Sequence, residues 1–166
     1  MILIFKYLRY YLNLVFKTRY SRQLDCHAMK NIFVYGSLMF EPVWNRVVTG
    51  SYTKIEGQLF GYARLGIKDE HYPGLIETPG TVDGVIWLDV NDTDIEKLDR
   101  FEGVYYRRNQ VFVADSHDRC LDCETYVIAN DYTYLLEDHP WDADQFREQH
   151  LQSFIEKYVG FNTKEK

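Results

Sequence analysis

Leu98-Asp99-Arg100-Phe101-Glu102-Gly103-Val104-Tyr105-Tyr106-Arg107-Arg108 reads as the last turn of a helix, a stop at Gly103 and the start of a strand. Upstream, Asn91, Asp92 or Thr93 can cap the helix start, and Asp92, Asp94 and Glu96 suit the positive end of its dipole. Ile95, Leu98 and Glu102 fall at i, i+3 and i+7, so they share one face at about 3.6 residues per turn. Two of these are core-type residues and the third is a carboxylate. On the residues alone two readings of Glu102 stay open. It is either a solvated charge at a frayed helix end, or an inward-facing acid/base whose pKa is raised by burial.

A second stretch, Asn31-Ile32-Phe33-Val34-Tyr35-Gly36-Ser37-Leu38-Met39, reads as a buried strand closed by a turn at Gly36-Ser37. Glycine there permits a positive φ and lets backbone N–H groups face a small anionic group. A strand ending in Tyr-Gly-Ser is weak evidence by itself, because many strands end at glycine.

Together the two stretches resemble the γ-glutamylcyclotransferase family, including its AIG2-like and γ-glutamylamine cyclotransferase branches. Its members are similar to this chain in a Tyr-Gly-Ser/Thr-Leu turn, here Tyr35 to Leu38, and a Leu-Asp-x-x-Glu-Gly-x-x-Tyr-x-Arg segment, here Leu98 to Arg108. Tyr72-Pro73-Gly74-Leu75 and Val82-Asp83-Gly84-Val85-Ile86-Trp87 resemble the family's connecting strands, and Glu124-Thr125-Tyr126-Val127 its last aromatic-bearing strand. The resemblance covers Lys30 to Val127. It is loose after Asp131 and does not extend to the first 28 residues.

The resemblance implies an α+β domain built on a small mixed, curled or closed β-barrel with a few short helices. It also implies an enzyme that cyclises the γ-glutamyl group of a small γ-glutamyl amide to 5-oxoproline and releases an amine or amino acid. In that chemistry the substrate's own α-amine attacks its side-chain carbonyl. No enzyme nucleophile, metal or cofactor is needed, and holding the reactive conformer contributes several kcal/mol. One carboxylate can take the proton from the α-amine and return it to the leaving nitrogen. By resemblance Glu102 has that role, and Tyr35, Gly36, Ser37 and Leu38 hold the substrate's α-carboxylate. Tyr106 and Arg108 alternate onto one strand face and either line the pocket or, for Arg108, pair with an acidic neighbour. The alternative function is a non-catalytic binding module for a γ-glutamyl or amino-acid-like ligand. Glutathione is the less favoured substrate, because the glutathione-specific branch has different flanking motifs.

The rest of the chain sets bounds on these readings. One hundred and sixty-six residues fit one domain with a single core. A formal net charge of −6 argues against non-specific nucleic-acid binding, which needs a basic face. An aromatic content of 16% argues against disorder.

Residues 1–28 stand apart, because apolar residues there alternate with Lys6, Arg9, Lys17, Arg19 and Arg22, and Asp25 is the only acid. The run is too interrupted for a spanning helix or a signal peptide. It reads as a membrane-surface segment or, preferably, as an upstream start that is not used, with the domain running from Met29 to Gly160 and a tail over residues 161–166. An odd count of three cysteines agrees with a reducing, cytoplasmic setting.

Glu41 to Val48 suits a short helix with Pro42 in its first turn. Tyr52 to Leu65 reads as a strand with bulges or bends at Gly57 and Gly61, and Tyr72–Glu77 and Thr81–Val90 as two strands separated by a turn at Thr78-Pro79-Gly80. Tyr105–Ala114 and Cys120–Ala129 read as a hairpin. Asp142 or Asp144 can cap a last helix with Phe146, His150, Phe154, Ile155 and Tyr158 on one apolar stripe, read as structural packing. His117, Cys120 and Cys123 lack a fourth ligand at zinc spacing and a helix for a redox Cys-x-x-Cys, so no metal site is assigned. Ser37 lacks the Gly-x-Ser-x-Gly elbow of a hydrolase nucleophile.

Overall fold

The computed structural model describes residues 29–157. The basic extension at 1–28, Tyr158, Gly160 and the tail at 161–166 lie outside the described residues. The strands are β1 (Lys30–Val34), β2 (Lys54–Ile67), β3 (Pro73–Val90), β4 (Tyr106–Asp115), β5 (Cys120–Ile128) and β6 (Leu136–Pro140). The helices are α1 (Glu41–Val47), α2 (Asp92–Glu102) and a C-terminal segment, α3, made of Ala143–Gln145, a π-turn at Phe146–His150, and Leu151–Lys157.

Five strands close into the expected mixed barrel. Around the ring the order is β3-β1-β5-β4-β2, and β2 returns to pair with β3. Only β1 and β5 run parallel, with Ile32 opposite Glu124, and β6 pairs antiparallel to β2 outside the ring. Both faces of β1 are covered, as its unbroken apolar run requires. Phe33 and Tyr35 point into the barrel with Leu59, Leu75, Ile86, Val113 and Val127. Ile32 and Val34 point outward into a second core with Trp44, Trp87, Leu98, Phe146 and Phe154. Trp44 of α1 stacks on Trp87 at 4.4 Å between ring centroids.

Two strand expectations are corrected. Thr78-Pro79-Gly80 does not turn the chain, because Pro73–Val90 is one strand paired to β2 along its length. Between the pairs Phe60↔Thr81 and Tyr62↔Glu77 the register shifts, so these three residues bulge opposite Gly61 alone. Proline has no N–H to give a ladder, and a bulge lets it sit in a strand without breaking one. Gly61 takes φ 84°, open to glycine at no steric cost, and supplies the bend. Gly57 makes no bend, since it stays in register with Gly84 and Asp115. The barrel therefore closes through one kink in a long hairpin, where two separate short strands were expected. Strand β6 was not foreseen.

Helix α2 is built by local chemistry. The Asn91 side chain caps it by accepting from the Asp94 N–H at 2.9 Å, and Gly103 ends it at φ 66°. Asp94 faces inward and ties the helix start to the segment after α1. Its carboxylate accepts from the Gly50 N–H at 2.7 Å, the Thr49 N–H at 3.0 Å, the Tyr52 hydroxyl at 2.7 Å and Lys97 Nζ at 2.6 Å. Asp142 caps α3 by accepting from the Asp144 and Gln145 N–H groups at 2.8 and 3.0 Å.

Candidate active site

The end of β1 and the end of α2 meet at one cavity of about 360 Å³. Tyr35, Gly36, Ser37 and Leu38 line it from the strand, and Arg100, Phe101, Glu102, Gly103, Val104, Tyr105 and Tyr106 from the helix end and the start of β4. Phe33, Val34, Tyr72, Pro73, Tyr126 and Phe154 complete the wall. Among the lining residues Glu102 is the only carboxylate and Arg100 the only fixed cation.

Glu102 is half-buried, carried inward on the face that buries Ile95 and Leu98. Loss of solvent around the carboxyl, reinforced by the negative charge of Asp99, pushes its pKa up to about 8. The sequence left open whether this residue was a solvated end or an inward acid. The fold makes it inward-facing, because α2 lies on the barrel wall through Ile95 and Leu98 and stops one residue later.

The opposite wall is the 3₁₀ turn Ser37–Met39. Gly36 does not use a positive φ, as expected from sequence; it sits at φ −123°. Glycine is needed there for closeness, since a Cβ would stand 2.9 Å from the ring carbons of Pro73. The leading N–H groups of such a turn have no acceptor within it, so they are open to a ligand. Ser37 is buried against the same space.

Tyrosines fix the geometry between the walls. The Tyr35 hydroxyl donates to the Tyr126 carbonyl at 2.7 Å, the Tyr126 hydroxyl donates to Asp99 Oδ1 at 2.8 Å, and the Tyr106 hydroxyl donates to the Pro73 carbonyl at 2.8 Å. Burial, followed by the charge of Glu102, raises the pKa of Tyr35 well above the ordinary phenol value, so it stays protonated as a donor.

Of the two readings left open for Arg108, the structure adopts the ion pair. Its Nε donates to Asp99 Oδ1 at 2.8 Å, its Nη1 bonds to Glu124, and Lys30 Nζ reaches the other Glu124 oxygen at 3.0 Å. Arg108 does not line the cavity. The unbroken β4–β5 register places it across from Tyr126, which points its hydroxyl to the same Asp99. Arg108 thus braces Asp99, and Asp99 acts on Glu102. Sequence reasoning assigned no role to Asp99, Tyr126, Arg100, Tyr72 or Phe154. Asp99 and Arg100 were visible inside the decisive stretch, whereas Phe154 comes from the helix read as packing alone.

Among the described residues, no group of three or more His, Cys, Asp or Glu is arranged to hold a metal ion. Cys120 is exposed and Cys123 buried on β5, and neither forms a disulfide. Burial, then the charges of Asp122 and Cys120, pushes the Cys123 thiol up to about 12, which removes it as a thiolate at neutral pH. Replacing both cysteines with serine is expected to leave turnover and metal content unchanged, at a stability cost of about 1–3 kcal/mol from burying a hydroxyl at position 123. Stoichiometric zinc in the purified protein, lost in the double variant, would refute this.

Residues 32–143 match the family model described as gamma-glutamyl cyclotransferase, AIG2-like. The chain belongs to that family. AIG2-like protein D of Arabidopsis thaliana is 31% identical over 142 residues, covering 81% of this chain and 90% of the relative. A protein of Arabidopsis thaliana solved in solution superposes with a TM-score of 0.62 at 28% identity, covering 83% of this chain and 84% of that one. A solved gamma-glutamyl cyclotransferase shares the fold, with a TM-score of 0.55 at 18% identity over 82% of this chain and 90% of its own. No helix among the described residues is long and apolar enough to cross a membrane.

Proposed function

We propose that this family member cyclises the γ-glutamyl group of a small γ-glutamyl amide to 5-oxoproline, with Glu102 as the general acid/base. The observation that carries the reading is a lone carboxylate, its pKa raised to about 8, facing the Tyr35-Gly36-Ser37-Leu38 turn across one cavity. The turn binds the substrate's α-carboxylate through backbone N–H groups and the Ser37 hydroxyl. That anchoring brings the α-ammonium beside Glu102. A neighbouring cation pulls the carboxyl back towards its ionised form, so the base is generated by the substrate it serves.

Glu102 takes a proton from the α-ammonium. The freed amine nitrogen bonds to the γ-carbonyl carbon, and the bond from that carbon to the leaving nitrogen breaks. The proton on Glu102 passes to the leaving nitrogen as it departs, and the second proton that the attacking nitrogen gives up on becoming the lactam N–H follows by way of Glu102, so the amine leaves as an ammonium. Atoms and charge balance without a co-reactant. The buried tyrosines restrict the glutamyl chain to conformers that bring its two ends together, which is the main requirement of an intramolecular closure.

The test is to offer γ-glutamyl-α-amino acids and γ-glutamyl amines to the purified protein and follow both products. Equimolar 5-oxoproline and free amine are expected. Saturable binding of these compounds without 5-oxoproline would replace the enzyme reading by that of a binding module.

A further inference from the structure

The rim of the cavity beside the end of α2 has features that the glutamyl half of a substrate does not use. Arg100 lines the cavity, is exposed, and makes no hydrogen bond, ion pair or ring contact among the described residues. Glu96, one turn back on the helix, does not pair with it, whereas Arg108 eight residues on is doubly paired. Val104 and Tyr105 follow on the same rim with 73% and 44% of their surfaces exposed, which makes them two of the few large apolar side chains left open among the described residues. Tyr105 is braced edge-to-face by Tyr132 at 4.9 Å, so the shelf is rigid although these tyrosines lie far apart in sequence. Gly103 lines the cavity between Arg100 and the shelf, and a Cβ built on it meets nothing within 4 Å. The space beside the helix end is therefore open, bounded by a free guanidinium on one side and an apolar shelf on the other.

We infer that Arg100 and the Val104–Tyr105 shelf select the leaving group, and that the preferred one carries a carboxylate together with a large apolar side chain. The inference rests on the reaction proposed above, because the leaving nitrogen is placed by a glutamyl group anchored at Ser37 and Glu102. An amide nitrogen held there projects its substituents to the rim. A carboxylate one carbon from that nitrogen meets the guanidinium as a charge-assisted hydrogen bond, and an aromatic side chain lies on Val104 and Tyr105. A leaving group bearing only a cation is repelled by Arg100, and one with no side chain leaves the shelf wet. Arg100 is a specificity residue here and takes no part in the proton transfer.

The experiment uses three substrates with the full chain: γ-glutamyl-phenylalanine, γ-glutamyl-phenethylamine, which lacks only the carboxylate, and γ-glutamyl-glycine, which lacks only the side chain. The expected kcat/KM for the first exceeds each of the others by about tenfold, the size of one charged hydrogen bond or one partly buried ring. Arg100→Gln is expected to raise KM for γ-glutamyl-phenylalanine at least about fivefold more than for γ-glutamyl-phenethylamine, with kcat little altered, and Arg100→Lys to restore part of the difference. Equal losses on the two substrates would mean a structural role and overturn the inference. So would equal wild-type rates on all three, while leaving the cyclisation itself intact. Absence of 5-oxoproline from every substrate would instead overturn the proposed reaction, and the leaving-group assignment with it.

Discussion

Glu102→Gln is expected to yield a folded protein that still binds γ-glutamyl substrates and forms 5-oxoproline about 10²–10⁴-fold more slowly. Glutamine keeps the shape and can accept a hydrogen bond from an ammonium, but it cannot take the proton. Wild type should show a rate that rises with pH as Glu102 ionises, and the variant should lack that limb. Asp99→Asn should move the limb to lower pH, because the Asp99 charge contributes to raising the carboxyl towards about 8. Stability supplies a second readout. The folded-state pKa of Glu102 lies above its unfolded value, so the native state holds the proton more tightly, and wild-type stability declines as pH rises from the ordinary carboxyl range to about 8. Glu102→Gln has no such decline. Its Tm should match wild type at pH 4 and exceed it at pH 9, by at least ~2–4 °C for a gain of about 1 kcal/mol. A Glu102→Gln protein turning over at a near wild-type rate would end the acid/base assignment.

Asp94→Ala is expected to be the most damaging single change to the fold, at about 3–5 kcal/mol, or ~6–20 °C in Tm. The carboxylate has a side chain only 1% exposed against Lys97. Removing it strands the Thr49 and Gly50 N–H groups, the Tyr52 hydroxyl and the Lys97 ammonium together. Burial alone would raise its pKa, yet hydrogen bonds from Lys97, Tyr52, Thr49 and Gly50 hold it well below the usual carboxylate range. A depressed folded-state pKa contributes stability that is present above the unfolded value near 4 and is lost as pH falls through the folded one. Wild type should therefore lose this contribution in acid, while the gap between wild type and Asp94→Ala narrows. Urea denaturation at pH 7 and at pH 3 measures both. A gap that stays constant across that range would show that the Asp94 charge does not stabilise the fold. Activity should follow the fold, since Asp94 anchors the start of the helix whose last residue is Glu102.

What the sequence by itself determined is what short-range chemistry controls. A cap among Asn91, Asp92 and Thr93, the Gly103 stop and the Ile95–Leu98–Glu102 face are written within a dozen residues, and α2 follows them closely, with Asn91 as the cap. The apolar run of β1 required cover on both sides, and the two cores meet there. The motif pair carried the family and the expectation of a small mixed barrel, curled or closed. The tertiary structure alone decided matters that depend on partners far along the chain. Thr78-Pro79-Gly80 carries every local sign of a turn, yet the long pairing with β2 outweighs it and absorbs the proline in a bulge. Arg108 had two open readings until β5 brought Glu124, and α2 brought Asp99, within hydrogen-bond reach. Phe154, read as packing, reaches the cavity wall because α3 folds back over the barrel. The raised pKa of Glu102 belongs to the same class, because desolvation is a property of everything that surrounds a carboxyl, and those surroundings come from β1, α2, β4, β5 and α3 at once.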